Sequence, residues 1–336
     1  MAKVQFRILD RKQVMENMPS LNELLEVVSS GLNAHGRGNV VLPPKAHIEL
    51  DDRYNGHFNI LVGWSGSVDA AGVKVIGDYV DNYKHGLPSE VAMLTLYDPR
   101  IGVPIGLMDA TDITTWRTGA VTAIGARHLS PRRSRILGHI GARGSAFPNI
   151  ALLSRDHDFE EIRVHSRRPE SRERLAKRLR DELQLNAIAV DSAEAAVRDA
   201  DIVVEATRME RPQVLIRDEW LKSDCLLITY GWQMAVDPKT VLGASKIVVD
   251  DWRQCCVGGA LHPMIATGEL TTEMIHGEIG QVVAGLKPGR SDGDGRIVYW
   301  HRGFAISDIV LGHNILQRAN ANSAGQMFTL FDGPDE

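Results

Sequence analysis

Two short stretches carry residue types suited to holding a charged cofactor. The first is GHIGARGSA, residues 138–146, where a run of aliphatic residues ends in glycine and an apolar segment follows. In a G-x-G-x-x-G/A turn the first glycine makes the bend and the second lets a pyrophosphate approach the backbone. The third small residue allows a helix to pack closely. Gly141 and Ala146 take the first and third places, but Arg143 stands where the second glycine belongs. Gly144 comes next and is expected to supply the permissive backbone, with Arg143 turned outward toward a phosphate. Ser145 is placed to cap the following helix, and Pro148 falls in its first turn, where a missing N–H costs little. The second stretch, HSRRPES, ends the next strand about 20 residues on, where ribose recognition belongs. A carboxylate there would bond the ribose hydroxyls of NAD, whereas Ser166, Arg167 and Arg168 suit a 2′-phosphate. NADP(H) is therefore favoured over NAD(H). Thr207 in DIVVEAT, with Thr229 and Tyr230 in CLLITYG, completes the cofactor-binding candidates.

These residues need elements to position them. Residues 8–34 have apolar positions at helical spacing, interrupted by Pro19, and read as two helices. From 40 to 107, short apolar runs broken by Gly, Pro and Asn predict a meandering antiparallel sheet. TWRTGAVTAIGARHLS, residues 115–130, reads as a linker helix into a second domain. From 134 onward, apolar β-branched runs alternate with helical segments, one of them opened by Asp191 as an N-cap. That alternation implies a parallel sheet covered on both faces. The nucleotide turn opens its first βαβ unit, which argues against a glycine turn with no ligand. Near residue 300 a strand and a helix recur, so the tail is expected to rejoin the first domain. The expected organisation is α/β: a doubly wound Rossmann sheet over 119–302, inserted into an α+β substrate and dimerisation domain over 1–118 and 303–336.

A chain of 336 residues exceeds the usual size of one core. Its 43% hydrophobic and 24% charged residues are ordinary for a globular protein, and a net charge of −5 disfavours general nucleic-acid or membrane-surface binding. Cys225, Cys255 and Cys256 form neither a disulfide framework nor a zinc motif, and the adjacent pair reads as a buried turn. No metal is expected, since the histidines show no H-E-x-x-H spacing. GWSGS at 63–67 lacks the context of a serine-nucleophile elbow. With no apolar run near the roughly 18 residues of a membrane span, a cytoplasmic location is expected.

The segments AGVKVIGDYVDNYKHGLPS, GVPIGLMDATDITTWRTGAVTAIGARHL and GEIGQVVAGLKPGR together resemble the ornithine cyclodeaminase/mu-crystallin family. The similarity runs from about residue 40 to 318, and MDA-x-x-IT-x-x-RTGAV is its most specific part. The resemblance implies the inserted Rossmann architecture, a homodimer, and chemistry on a small amino or imino acid. It also implies roles for particular residues. Lys74 matches the lysine that binds the substrate carboxylate and assists proton transfer, and Arg117 an arginine near substrate and cofactor. Lys45 stands where the family usually has arginine, keeping the charge but losing the bidentate fork. Ser89 and Thr118 match hydroxyls that contact the cofactor, and Asp308 an acidic residue near the reaction centre. Taken singly and without the resemblance, each of these cations reads as a solvated surface charge and Asp308 as a cap of the last helix, while the grouping of Lys74 and Arg117 in glycine-rich turns joins the resemblance in favouring a site.

Three departures stand where the family keeps its cofactor and reaction centre. Gln233, in YGWQMAVD, takes the place of the catalytic aspartate, and glutamine cannot titrate usefully. His301 and Arg302 replace the family's hydroxyls, and Arg143 alters the loop. The leading expectation is an NAD(P)H-dependent oxidoreductase of the imine or ketimine reductase or amino-acid dehydrogenase type. The alternatives are cyclodeamination of ornithine to proline and ammonia, or a cofactor-binding protein without catalysis.

Overall fold

The computed structural model describes residues 3–209 and 211–332. They form two compact units: residues up to 117 together with those from 304 onward, and residues 118–303. Residues 1–2 and 333–336 of the expected first domain lie outside the described range.

The first unit opens with strand β1 (Lys3–Leu9), so the predicted helix pair begins at Arg11–Glu16 rather than at residue 8, and continues with Leu21–Gly36. Asp10 caps the first helix through a reciprocal capping box, and Ser20 caps the second. Strands β2 (Val40–Val41), β3 (Ala46–Glu49), β4 (Gly56–Ser65), β5 (Ala70–Tyr79), β6 (Glu90–Tyr97) and β7 (Pro104–Asp109) form the predicted antiparallel meander. Two partners lie outside that prediction: β1 joins β7 in parallel, and the C-terminal strand Gln326–Asp332 pairs antiparallel with β1.

Side chains alternate along β5, so Ala70, Gly72, Lys74 and Ile76 are all buried on one face. Against that face packs the helix Ala305–Ala321, with Ile309 lying over Gly72. The helix comes close because Gly72 has no side chain: a Cβ there would lie 2.7 Å from Ile309 Cγ1. Asp308, one residue away, is thereby brought into the same buried layer as Lys74.

The second unit is an eight-stranded sheet whose pairs are all parallel. Its strands are β8 (Ile136–Ile140), β9 (Glu161–His165), β10 (Ala187–Ala189), β11 (Ile202–Glu205), β12 (Leu226–Thr229), β13 (Lys246–Val249), β14 (Ile275–Glu278) and β15 (Ile297–Trp300). The spatial order is β10-β9-β8-β11-β12-β15-β13-β14. The order reverses between β8 and β11, and in open α/β sheets ligands bind beyond the strand ends at such a switch point. Buried Val203, Leu227, Val249, Val298 and Trp300 belong to one core cluster that covers the sheet. Ser192, not Asp191, caps the helix Ala193–Val197: its hydroxyl accepts from Ala195 N at 3.0 Å. Cys255 and Cys256 lie on the helix Trp252–Val257 rather than in a turn, the first buried and the second exposed. Among the described residues no helix is long and apolar enough to cross a membrane.

Gly141 makes the bend after β8 with φ +101°, and a Cβ there would meet Ala206 O at 2.6 Å. Gly141→Ala therefore combines backbone strain with a steric clash against a fixed carbonyl. It is expected to cost about 1–3 kcal/mol. The unfolding free energy in urea measures this, and an unchanged midpoint would mean that the turn relaxes freely.

Candidate functional site

Three ionisable side chains share one buried position in the first unit. Lys74, Arg117 and Asp308 are 0%, 4% and 0% exposed, so none is the surface charge that an isolated lysine or arginine usually is. Lys74 lies in mid-strand and Arg117 within the helix Thr111–Leu129, not in glycine-rich turns. Asp308 does not cap the last helix, whose N-cap is Phe304. Its Oδ1 instead receives Lys74 Nζ at 2.5 Å and Arg117 Nε at 3.0 Å.

Lys74 Nζ also donates to Thr114 Oγ1 at 3.1 Å, and that hydroxyl donates to Ala110 O at 2.8 Å. Thr114 stands one turn before Arg117 on the same helix, an i,i+3 spacing that presents both to the same neighbour. Thr114 was not among the sequence candidates; its place in ITTWRT at that spacing was the available signal. Burial lowers the Lys74 pKa to about 8, opposed by the attraction of Asp308 and aided by the repulsion of Arg117.

Two cations thus face one carboxylate, and several of their bonding positions remain unspent. Among the described residues, the Arg117 Nη groups and the third Lys74 hydrogen meet no acceptor. Asp308 Oδ2 is buried and has no donor there. A group with a carboxylate and a nitrogen complements that set. Lys45, just before β3, is half-buried and has a polar or charged partner, and Ser89 accepts from Tyr79 N through its backbone carbonyl at 2.8 Å. Among the described residues, neither bonds to Lys74, Arg117 or Asp308.

The second unit holds the other candidates, at the carboxyl ends of its strands. Gly144 has φ +55°, a left-handed backbone that glycine accepts readily, and Arg143 beside it is exposed. Ala146 is buried at the start of the helix Ala146–Leu153. Ser145 does not cap that helix; its hydroxyl lies 2.7 Å from Tyr230 Oη. After β9, Ser166 Oγ donates to Arg168 O at 3.0 Å, which leaves Arg167 and Arg168 exposed at the opening of the helix Pro169–Leu183.

Thr229 donates to Glu205 Oε2 at 2.9 Å, and Glu205 Oε1 accepts from Thr207 N at 2.6 Å. Glu205 is fully buried, and burial raises its pKa. The sequence reading overlooked it because DIVVEAT reads as an ordinary buried strand. Thr118 accepts through its carbonyl from Thr122, whose hydroxyl lies 3.0 Å from His301 Nε2. Gln233 is half-buried in the loop after β12, and Arg302 stacks on Trp232 at 4.2 Å from the ring centre. A tight glycine bend, a left-handed glycine, a serine hydroxyl and a helix start at the switch point fit a dinucleotide's phosphates. The exposed arginines after β9 fit a further phosphate.

The model of the ornithine cyclodeaminase/mu-crystallin family matches residues 5–323. The N-((2S)-2-amino-2-carboxyethyl)-L-glutamate dehydrogenase of Staphylococcus aureus is 30% identical over 91% of this chain and 93% of its own. The alanine dehydrogenase of Archaeoglobus fulgidus is 28% identical over 96% and 98%. Among solved structures, the Δ1-pyrroline-2-carboxylate reductase of Thermococcus litoralis, in complex with NADH and L-proline, superposes with a TM-score of 0.89. It is 27% identical and covers 96% of this chain and 99% of that one.

Proposed function

Since the chain belongs to the ornithine cyclodeaminase/mu-crystallin family, we propose that it is an NAD(P)H-dependent oxidoreductase of a small α-imino or α-amino acid. The observation that carries this reading is the unspent bonding capacity around Asp308. Arg117 and Lys74 are donors for the substrate carboxylate, and Asp308 Oδ2 is an acceptor for its nitrogen. Relatives named for alanine, imino-acid and amino-acid chemistry support it.

The nicotinamide cofactor, when bound, supplies or takes the hydride at the substrate's α-carbon. The chain's own contribution is orientation and one proton. Lys74, with a pKa near 8, both holds and releases a proton near neutral pH, as delivery to an imine nitrogen needs. Asp308 keeps the ammonium fixed while Arg117 orients the carboxylate. Gly141, Arg143, Gly144, Ser145 and Ala146 hold the cofactor's phosphates, with Thr207, Thr229 and Tyr230 behind them. NADP(H) is preferred through Ser166, Arg167 and Arg168, because no carboxylate ends β9 to receive a free ribose hydroxyl. Gln233 cannot shuttle a proton at the amino group, which disfavours cyclodeamination. A homodimer is the proposed assembly, supported by the exposed apolar Val91 and Met93 of β6.

The test is loss of absorbance at 340 nm when NADPH is mixed with 2-oxo acids plus amines, or with cyclic imino acids. Turnover is expected, and Arg167→Ala with Arg168→Ala should raise KM for NADPH about tenfold while leaving that for NADH little changed. No turnover on any member of the panel, with cofactor bound, would defeat the reading.

A further inference from the structure

Lys74 is held by two acceptors, a carboxylate and a hydroxyl, and the two do different things. Its Nζ donates to Asp308 Oδ1 at 2.5 Å and to Thr114 Oγ1 at 3.1 Å, and all three side chains are buried. An ammonium has three hydrogens and no lone pair, so the direction of both contacts is set by the lysine itself. Thr114 is therefore an acceptor toward the charged Lys74, whatever its own hydrogen does. Oγ1 also donates to Ala110 O, one turn back, at 2.8 Å. A helical threonine chooses between two rotamers, and a bond to the i−4 carbonyl selects one of them. The acceptor is thus seated by the helix Thr111–Leu129 rather than by the lysine it meets.

With Asp308 alone, the flexible four-carbon stem could swing about the line from Nζ to Oδ1, and the other two hydrogens would swing with it. A second acceptor stops that motion, and tetrahedral geometry then fixes the third N–H in one direction. The three hydrogens are not equivalent as acids. Passing one to Asp308 only neutralises the ion pair, and a neutral hydroxyl such as Thr114 does not hold an added proton near neutral pH. The third meets no acceptor among the described residues, so it is the one able to leave. As it leaves, its N–H bond breaks, the electron pair stays on Nζ, and the proton adds to the lone pair of the imine nitrogen. The neutral amine keeps its other two hydrogens on Asp308 and Thr114, so its new lone pair points where the proton went.

We propose that Thr114 is a positioning residue that aims the one transferable hydrogen of Lys74. The assignment rests on the oxidoreductase reading above and adds to it the residue that decides which proton moves. Asp308 from the last helix, Arg117 from the helix of Thr114 itself and the exposed Glu90 at the start of β6 are the charged groups that act on Lys74. A change confined to Thr114 leaves all three in place. It removes an uncharged acceptor that favours the ammonium over the amine.

Thr114→Val in the full-length protein keeps the volume and the branching and deletes the hydroxyl. With NADPH and the fastest cyclic imino acid of the panel, kcat should fall about tenfold and KM should stay within about twofold. The alkaline limb of kcat/KM should move down by about one pH unit, because a bond to the charged form is lost. Thr114→Ala, which also lacks the hydroxyl and adds no bulk beside Nζ, should behave as the valine variant does. Thr114→Ser should return both values close to those of the parent. The same shift is readable without substrate: in urea, the rise of stability with pH should begin about one unit lower in the valine and alanine variants. An unmoved limb and an unmoved onset in those two variants would overturn the assignment, as would an equal loss in the serine variant. A parent that turns over nothing on the panel would instead overturn the oxidoreductase reading, while the onset in urea still reports on the contact between Thr114 and Lys74.

Discussion

Asp308→Asn is expected to lower kcat/KM by at least about a hundredfold and to destabilise the fold by about 3–5 kcal/mol at pH 6. The substitution keeps the shape and removes the carboxylate that Lys74 and Arg117 both contact. Two cations would then remain side by side in a buried layer, where mutual repulsion is poorly screened. Lys74 has a way out, since it can lose its proton. Asp308 is the strongest influence holding that proton on, so the Lys74 pKa should fall further below 8 in the variant. The stability deficit should accordingly shrink as the pH is raised from 6 to 9. Urea unfolding at both pH values, with kcat/KM on the best substrate of the panel, measures both parts. Parent-like stability and activity would show that the carboxylate is not what holds the cluster together.

Lys74→Met should produce the second large effect. The lysine's pKa is lowered from 10.5 in the unfolded chain to about 8 in the fold. Between those values the unfolded chain binds more protons than the native one, so stability rises with pH across that window. Below pH 8 both states are charged, and the cost of burying the ammonium is felt in full, about 3 kcal/mol. Methionine removes the charge at a similar volume, so the variant should lack that rise and be the more stable protein near pH 7. Activity should move the other way. In the parent, kcat/KM should fall above pH 8 as the proton for the substrate is lost. In the variant it should be at least a hundredfold lower and without that limb. A parent profile that is flat from pH 7 to 10 would remove Lys74 from proton transfer.

The parallel sheet was legible because apolar β-branched runs, each flanked by a helical segment, leave little other choice. The direction in which Lys74 points was not. Val73 and Val75 flank it, and alternation alone would send two valines inward and the lysine out. The fold does the opposite, because the buried face of β5 is defined by Ala70, Gly72 and Ile76, against which the last helix packs. That helix lies more than two hundred residues further on, so no local pattern around Lys74 could reveal the pairing. Arg117 and Asp308 were nameable from the family resemblance, but their shared burial was not, since a charged residue in a helix ordinarily faces solvent. In the loop after β8 the glycines were readable from type and spacing. Ser145 was read as a cap, whereas its hydroxyl meets Tyr230, which follows a strand 85 positions away.

The Arg117–Asp308 ion pair joins positions separated by 191 residues, and the whole parallel sheet lies within that span. During synthesis the first unit therefore cannot close when its own first 117 residues have emerged. It lacks the helix that covers β5, the carboxylate that balances Lys74 and Arg117, and the strand that borders β1. The parallel sheet, complete by residue 303, is free to fold first. Until the last helix is made, a nascent chain carries an uncovered apolar sheet with two uncompensated cations among its residues. Truncation before Ala305 should thus yield a chain that aggregates or is degraded rather than a smaller working enzyme.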